Sequence, residues 1–157
     1  MIQRLLTQRA CLEFAARELG EEPGPLLELG LGKGRSYDFL RRRLPWRELY
    51  AFDREVHAPI DCIPDPGHLI LGDFRSTLPA FAERHGRIAA LVHADVGSEQ
   101  RQHDRQLAAA LGPLIHAVAR PGALVLCDRP LLGPDWSPLP LPAEAGDWDY
   151  FLYRVGR

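Results

Sequence analysis

The chain has 157 residues, and this length predicts a single domain over 1–157 with one sizeable core. A formal net charge of −2 gives no basic surface for nucleic acid or an anionic membrane, so neither partner is indicated. No apolar run approaches the roughly 20 residues of a membrane span, and charges interrupt the N-terminal stretch, which does not resemble a signal peptide. Three scattered cysteines lack metal-ligand spacing. These features predict a cytoplasmic protein.

Apolar runs alternate along the chain with patterns of helical periodicity. The predicted elements are an N-terminal helix (2–19, within segment 1–22), a strand (26–29), a helix (36–43), strands (48–52 and 68–71), a helix (77–85), a strand (88–92), a helix (99–119) and strands (123–127 and 150–155). The segment 130–149 is predicted to be a proline-rich loop, so one strand follows the fifth. Apolar strands separated by helices indicate an α/β fold with a doubly wound, mostly parallel sheet covered by helices on both faces.

A glycine-rich turn follows the first predicted strand, where residues 28–34 read Glu-Leu-Gly-Leu-Gly-Lys-Gly. Glycine tolerates backbone conformations and close approaches that a Cβ forbids, so such a turn can pass close to a ligand. The dinucleotide fingerprint G-x-G-x-x-G would need a glycine at Arg35, but the third glycine here is Gly34. The pattern E-x-G-x-G-x-G resembles the first motif of the class I, Rossmann-like methyltransferases that use S-adenosylmethionine. The chain looks like a short bacterial-type member of that family.

Four aspartates fall at the ends of successive predicted strands, namely Asp53, Asp73, Asp95 and Asp128. In doubly wound sheets the ligand lies at these carboxyl ends, so four acidic residues beside a glycine turn predict a site. Single aspartates there also cap helices, which is the alternative interpretation for each of them.

The resemblance implies a role for each of these positions. The turn residues Glu28, Gly30, Gly32 and Gly34 would surround the methionine portion of the cofactor, with the Glu28 carboxylate holding its amine. The Asp53 carboxylate would accept hydrogen bonds from the ribose hydroxyls. Asp73 would accept from the adenine amino group, with the Phe74 ring packed on the base.

Asp95 falls where methyl donor and acceptor would meet, and Asp95 and His93 are the two candidates for a general base. Two alternatives stay open at this point: Glu28 as a buried strand-end carboxylate, and His93 as a core histidine.

Asp95 and Asp128 match two positions of a metal-dependent subgroup, but Arg129 stands where that subgroup has asparagine, so no metal is predicted. An N-terminal helix, the 130–149 loop or a second subunit would have to cover the site. Trp148 is interpreted as covering the sheet edge.

The predicted function is S-adenosylmethionine-dependent methyl transfer to a small-molecule acceptor. One alternative is an NAD(P)-dependent oxidoreductase, because Asp53 would suit a dinucleotide ribose as well. The other is a non-catalytic module that binds S-adenosylmethionine without turnover. The apolar stripe of segment 2–19 allows a homo-oligomer, and it serves equally well to cover the sheet.

Overall fold

The structure, a computed structural model, describes residues 1–97 and 101–157, with the backbone alone at 101, 103 and 104. Its elements in chain order are α1 (Ile2–Leu19), β1 (Leu26–Leu29), α2 (Arg35–Arg43), β2 (Leu49–Asp53), a 3₁₀ turn (Ile60–Cys62), β3 (Leu69–Leu71), α3 (Phe74–His85), β4 (Ala89–Ala94), α4 (Arg101–His116), β5 (Ala119–Cys127), β6 (Ser137–Leu139) and β7 (Phe151–Arg154).

One seven-stranded sheet runs through the molecule in the order β3-β2-β1-β4-β5-β7-β6. The first five strands pair in parallel, and β7 is antiparallel to both β5 and β6. The strand order reverses between β1 and β4, so the carboxyl ends of these two strands flank the crevice where doubly wound sheets bind ligands. The predicted doubly wound, mostly parallel α/β sheet is confirmed.

Each face of the sheet has its own hydrophobic core. On one face Leu12 and Ala15 of α1 and Leu40 of α2 pack over the strands, and on the other Leu78 of α3 and Ile115 of α4 do so. Neighbouring strand residues point to opposite faces, and every residue of the central strands β1 and β4 is buried. Helices therefore cover both sides of the sheet, which explains why the sequence of these strands is continuously apolar.

Two sequence predictions about the C-terminal half were wrong. The proline-rich loop contains β6, whose Pro138 lies opposite Tyr153 at the sheet edge, where a residue without an N–H is tolerated. The long helix ends at His116 rather than at 119, and β5 starts at Ala119 rather than at 123. The predicted start of that helix, residue 99, lies outside the described residues.

The loop that follows β5 passes very close to α4. A Cβ at Gly112 would collide with the backbone carbonyl of Leu132, so this helix position has room only for glycine.

Within the described residues, no helix combines the length and apolarity needed to cross a bilayer.

Candidate cofactor and active site

The glycine turn between β1 and α2 adopts backbone conformations that other residues avoid. Gly30, Gly32 and Gly34 have φ values of 88°, 52° and 79°. A Cβ on Gly30 would lie 2.6 Å from the carbonyl oxygen of Asp95, and one on Gly34 would lie 2.6 Å from the Cβ of Cys62. Gly30 and Gly34 are thus needed for close packing as well as for their positive φ angles. The turn brings the end of β1 against the residue that follows β4.

Asp53, at the end of β2, holds this turn from the neighbouring strand. Its Oδ2 accepts from the backbone N–H groups of Leu31 at 2.9 Å and Gly32 at 3.2 Å, and its Oδ1 accepts from the N–H of Arg54 at 2.7 Å. A carboxylate offers about four lone-pair positions, so about one remains for a ligand. Asp53 therefore shapes the turn and also faces the crevice.

The carboxyl ends of β1 to β4 surround a cavity of about 310 Å³, which we call the strand-end cavity. Its walls include Gly30, Gly32, Asp53, Asp73, Phe74 and Asp95. The structure thus brings six of the nine predicted site residues together around one space.

Asp73 is fixed on the wall of the strand-end cavity as the N-cap of α3. Its Oδ1 accepts from the backbone N–H of Arg75 at 2.8 Å, and its Oδ2 lies 2.6 Å from the guanidinium of Arg54. The Arg75 N–H and the Arg54 guanidinium lower the pKa of Asp73 below its usual value. Asp73 is therefore an ionised acceptor, and the helix start that it caps presents Phe74 to the same cavity.

Asp95, beyond the end of β4, is held by two side chains of α1. Arg4 donates from Nη2 to both carboxylate oxygens, at 2.8 and 2.7 Å, and Gln8 donates from Nε2 to Oδ2 at 2.9 Å. Burial by itself would raise the pKa of Asp95, but the positive charges of His93 and Arg4 lower it below the usual range. Local sequence patterns do not predict this contact, because Arg4 and Asp95 are 91 positions apart.

Glu28 and His93 form a polar chain inside the protein. Both side chains are fully buried, with His93 Nδ1 2.8 Å from Glu28 Oε1, and Ser36 Oγ donates to the same oxygen at 2.7 Å. The other ring nitrogen of His93 contacts the Tyr150 hydroxyl, which also accepts from Gln8 at 3.4 Å. Neither Glu28 nor His93 lines the strand-end cavity.

Two further cavities adjoin the strand-end cavity. The basic cavity, of about 250 Å³, shares Gly30, Gly32, Asp95 and Gly97 with it and adds Arg4, Lys33 and Arg35. The outer cavity, of about 640 Å³, shares Gly97 with both, and its walls include Arg4, Asp128, Asp147, Trp148, Asp149 and Phe151. Trp148 therefore lines a cavity, contrary to the prediction that it covers the sheet edge.

The fourth strand-end aspartate, Asp128, also forms hydrogen bonds with the backbone. Asp128 accepts from the N–H groups of Val96 at 3.3 Å and Gly97 at 3.0 Å, which fixes the segment after β4. Burial, followed by the charge of Asp95, raises the pKa of Asp128. In the part of the chain that the structure describes, no three His, Cys, Asp or Glu side chains are placed to hold a metal ion.

Comparison with known proteins identifies the family. The model of a family described as S-adenosyl-L-methionine methyltransferase matches residues 1–155. The chain belongs to this methyltransferase family. An S-adenosyl-L-methionine methyl transferase from Silicibacter pomeroyi DSS-3 is similar to this chain, with 42% identity over 99% of this chain and 95% of that one, and with a TM-score of 0.94. No curated protein matches.

More distant methyltransferases share the fold. The 16S rRNA (adenine(1408)-N(1))-methyltransferase W203A mutant from Catenulisporales acidiphilia, solved with SAM, has 14% identity, covering 93% of this chain and 91% of that one, with a TM-score of 0.59. The plantazolicin methyltransferase BpumL, solved with SAH, has 14% identity, covering 80% of this chain and 46% of that one, with a TM-score of 0.52. The cofactor of the methyltransferase described here is S-adenosylmethionine, which replaces the nicotinamide alternative.

The strand-end cavity has groups that can bind this cofactor. A nucleoside presents hydroxyl and amino donors and an aromatic base, and on the walls of this cavity Asp53 and Asp73 offer carboxylate acceptors and Phe74 offers a ring. The adjoining basic cavity has room for a second, charged portion. Of the residues predicted from sequence, Gly34 acts through packing, while Glu28 and His93 lie in the buried chain. Arg4, Gln8 and Tyr150 were not predicted from the sequence as site residues.

Proposed function

We propose that this methyltransferase transfers the methyl group to a small molecule bound in the outer cavity. The observation that supports this proposal is the meeting of the outer and strand-end cavities at Gly97. The volume of the outer cavity, about 640 Å³, falls in the range of about 300–1,000 Å³ that is usual for small-molecule sites. Trp148 and Phe151 give it an apolar wall, and two arginines (Arg4 and Arg129) and three aspartates give it polar groups.

The charges of the outer cavity favour a small acceptor over nucleic acid. Its walls carry three aspartates, Asp128, Asp147 and Asp149, against the two cations Arg4 and Arg129, and the chain has a net charge of −2, so there is no excess of positive charge to attract a phosphate backbone. Arg4 is shared with the basic cavity. The rRNA methyltransferase named above shares only the fold with this chain.

S-adenosylmethionine would supply an activated methyl group on its sulfonium. In an in-line displacement the acceptor lone pair bonds to the methyl carbon while the carbon–sulfur bond breaks, S-adenosylhomocysteine leaves as the neutral thioether, and a proton carried by the acceptor passes to solvent. The protein has to bind the nucleoside, place the acceptor and exclude water. Asp53, Asp73 and Phe74 would bind the nucleoside, and Gly97 lies on the walls of both cavities. Alignment of this kind is worth several kcal/mol of the barrier.

Asp95 is the candidate base that reaches the cofactor cavity, whereas His93 is buried away from it. Because the pKa of Asp95 is lowered, its carboxylate is ionised at neutral pH but is a weak proton acceptor. We therefore assign to Asp95 the orientation of groups at the reacting centre. His93 receives a positioning role, through the buried chain that leads by Tyr150 and Gln8 to Asp95.

The test uses methyl-labelled S-adenosylmethionine, the purified protein and a bacterial extract separated into small molecules, RNA and protein. Label in the small-molecule fraction is expected, and a Trp148→Ala variant should lose this label while binding S-adenosylhomocysteine as the wild type does. Label in RNA or protein would contradict the small acceptor. Cofactor binding without label in any fraction would support the non-catalytic alternative.

A further inference from the structure

We infer that Asp128 is the general base of the proposed reaction, taking the proton that the acceptor loses and passing it to solvent. The inference rests on the proposed function, because it requires the acceptor to bind in the outer cavity. It also narrows the acceptor to a nucleophile with a removable proton, which is an amine, a hydroxyl or a thiol group.

The first argument is the position of Asp128. It follows β5 directly and lies on the wall of the outer cavity. Its Oδ2 accepts from the backbone N–H of Gly97 at 3.0 Å, and Gly97 lines both the outer and the strand-end cavity. A Cβ at position 97 would lie 2.5 Å from this oxygen, so glycine is needed there for the carboxylate to keep its place. The carboxylate therefore lies where an acceptor in the outer cavity would face the methyl donor.

Asp128 is held in a fixed orientation and still has capacity for a proton. The backbone N–H groups of Val96 and Gly97 donate to Oδ1 and Oδ2, at 3.3 and 3.0 Å. They use two of about four lone-pair positions of a carboxylate, so about two remain. The side chain is only partly buried, which leaves a route for the proton to solvent.

The two carboxylates beside Gly97 have opposite environments. Asp95 is held by Arg4 and Gln8, and the charges of His93 and Arg4 outweigh its burial and lower its pKa. Burial, followed by the negative charge of Asp95, raises the pKa of Asp128. Asp128 is thus the stronger proton acceptor of the two. Carboxylates whose pKa values are pushed apart in this way divide the roles at an active site.

The groups around Asp128 act in both directions on its proton. Asp95 favours the protonated form, and Arg129 together with the two backbone N–H groups favours the ionised form. The Cys127 thiol, 3.7 Å from Oδ1, has a pKa that burial raises far above neutral, so it stays uncharged. Three further charged residues lie on the walls of the same cavity: Arg4, Asp147 and Asp149.

The proton balance of the step follows from these positions. The acceptor lone pair forms the bond to the methyl carbon while the carbon–sulfur bond breaks. The N–H, O–H or S–H bond of the acceptor breaks with its electron pair remaining on the acceptor, and the proton forms an O–H bond with Asp128. The carboxylate is restored when this proton leaves for water.

The first experiment measures how fast methyl-labelled S-adenosylmethionine labels the small-molecule fraction of a bacterial extract. Because a general base contributes at least about a hundredfold, Asp128→Asn is expected to lower the rate by about this factor or more. It should bind S-adenosylhomocysteine as the wild type does. Added formate should restore part of the rate in Asp128→Ala and should not accelerate the wild type, since a small carboxylate can replace a missing base but not a structural contact.

The second experiment follows Asp128 without an acceptor, by carbon-13 NMR of the aspartate carboxyl groups during a pH titration. Asp128 is expected to titrate at a higher pH than Asp95. Asp95→Asn should lower the titration midpoint of Asp128, because the charge of Asp95 is one cause of its raised pKa.

Asp135→Asn is the matched control, because Asp135 is an exposed aspartate seven positions further along that lines none of the three adjoining cavities. It should keep the wild-type rate. A wild-type rate in Asp128→Asn, or a midpoint for Asp128 at or below that of Asp95, would overturn the inference and leave the small-molecule acceptor standing. If the wild type labelled no small molecule, the proposed function would fail and the inference with it. Melting temperatures of the variants separate lost catalysis from lost folding.

Discussion

Glu28 and His93 lie directly opposite each other on β1 and β4, and their side chains form a pair that solvent does not reach. Ser36 completes the pair at one end and Tyr150 at the other. A buried ion pair is costly to break, because the remaining charge has neither water nor a partner. The two central strands are thus joined by a side-chain contact in addition to their backbone hydrogen bonds.

The first prediction concerns the stability of this pair. Glu28→Gln should lower the free energy of unfolding by about 3–5 kcal/mol, because it leaves His93 without its carboxylate. Urea unfolding measures the loss. The control is Glu13→Gln, which removes the carboxylate from the ion pair between Glu13 and Arg43. These two side chains are 37% and 35% exposed, so the change should cost at most about 1 kcal/mol. Equal losses in the two variants would contradict the role of burial.

The second prediction concerns pH. Burial by itself would lower the pKa of His93, but the Glu28 carboxylate outweighs burial and raises the pKa above 6.5. A raised folded pKa stabilises the protein fully below the unfolded pKa, and this stabilisation is lost as pH rises through the folded pKa. The free energy of unfolding should therefore fall as pH increases above 6.5.

His68, whose pKa is raised by Asp65, contributes in the same direction, so the measurement should be made in a His68→Gln background. The fall in stability should persist there and should disappear when Glu28→Gln is added. A slope that vanishes with His68→Gln alone would show that His93 does not titrate in this range.

The third prediction tests the adenine contact. Phe74→Ala should weaken S-adenosylhomocysteine and 5′-methylthioadenosine by equal factors, because both ligands carry the base. Stacking of a base on an aromatic ring is worth about 1–3 kcal/mol, or roughly 5- to 150-fold in affinity. Calorimetry measures both constants. Phe151→Ala, which changes the outer cavity, should leave both unchanged; a selective loss of one ligand in Phe74→Ala would refute the adenine contact.

The fourth prediction concerns Asp53. Asp53→Ala should weaken S-adenosylmethionine binding, both by removing the ribose acceptor and by releasing the N–H groups of Leu31 and Gly32. The fold should persist, since the turn lies at the end of the sheet. Calorimetry measures the affinity and circular dichroism checks the fold. Glu55→Gln, at an exposed position, is the control. Unchanged affinity would remove Asp53 from the cofactor site.

The fifth prediction concerns Gly112 in α4. Alanine in an exposed helix interior is normally more favourable than glycine by about 1 kcal/mol. Here Gly112→Ala should instead lower stability by about 1–3 kcal/mol, because the Cβ meets the carbonyl of Leu132. Ala109→Gly, at an exposed position of the same helix, measures the propensity effect alone. A stabilised Gly112→Ala would mean that the loop moves away at little cost.

Features that depend on local sequence were the ones that could be predicted. Continuous apolar runs gave the five parallel strands, and the residues that end them, such as Asp53 and Asp73, followed from this assignment. β6 was missed because Pro138 and the neighbouring Pro134 and Pro140 are typical of a loop, and only the place of β6 at the sheet edge makes Pro138 acceptable.

Contacts between distant segments could not be predicted. Arg4 is one of several charged residues on an amphipathic helix, and no pattern in the sequence distinguishes it from Arg9. Its contact with Asp95 depends on how α1 packs across the sheet, which local periodicity does not determine. The same holds for Tyr150 and His93, which are 57 positions apart.

The span between Arg4 and Asp95 also has a consequence for the newly made protein. Translation adds about 5–20 residues per second, so the 91 positions between the two residues correspond to roughly 5–20 s of synthesis. During this interval α1 has been synthesised while its acidic partner does not yet exist. Tyr150 is added later still, and it contacts both Gln8 and His93. We therefore expect the nascent chain to acquire affinity for the cofactor only after Tyr150 has been added.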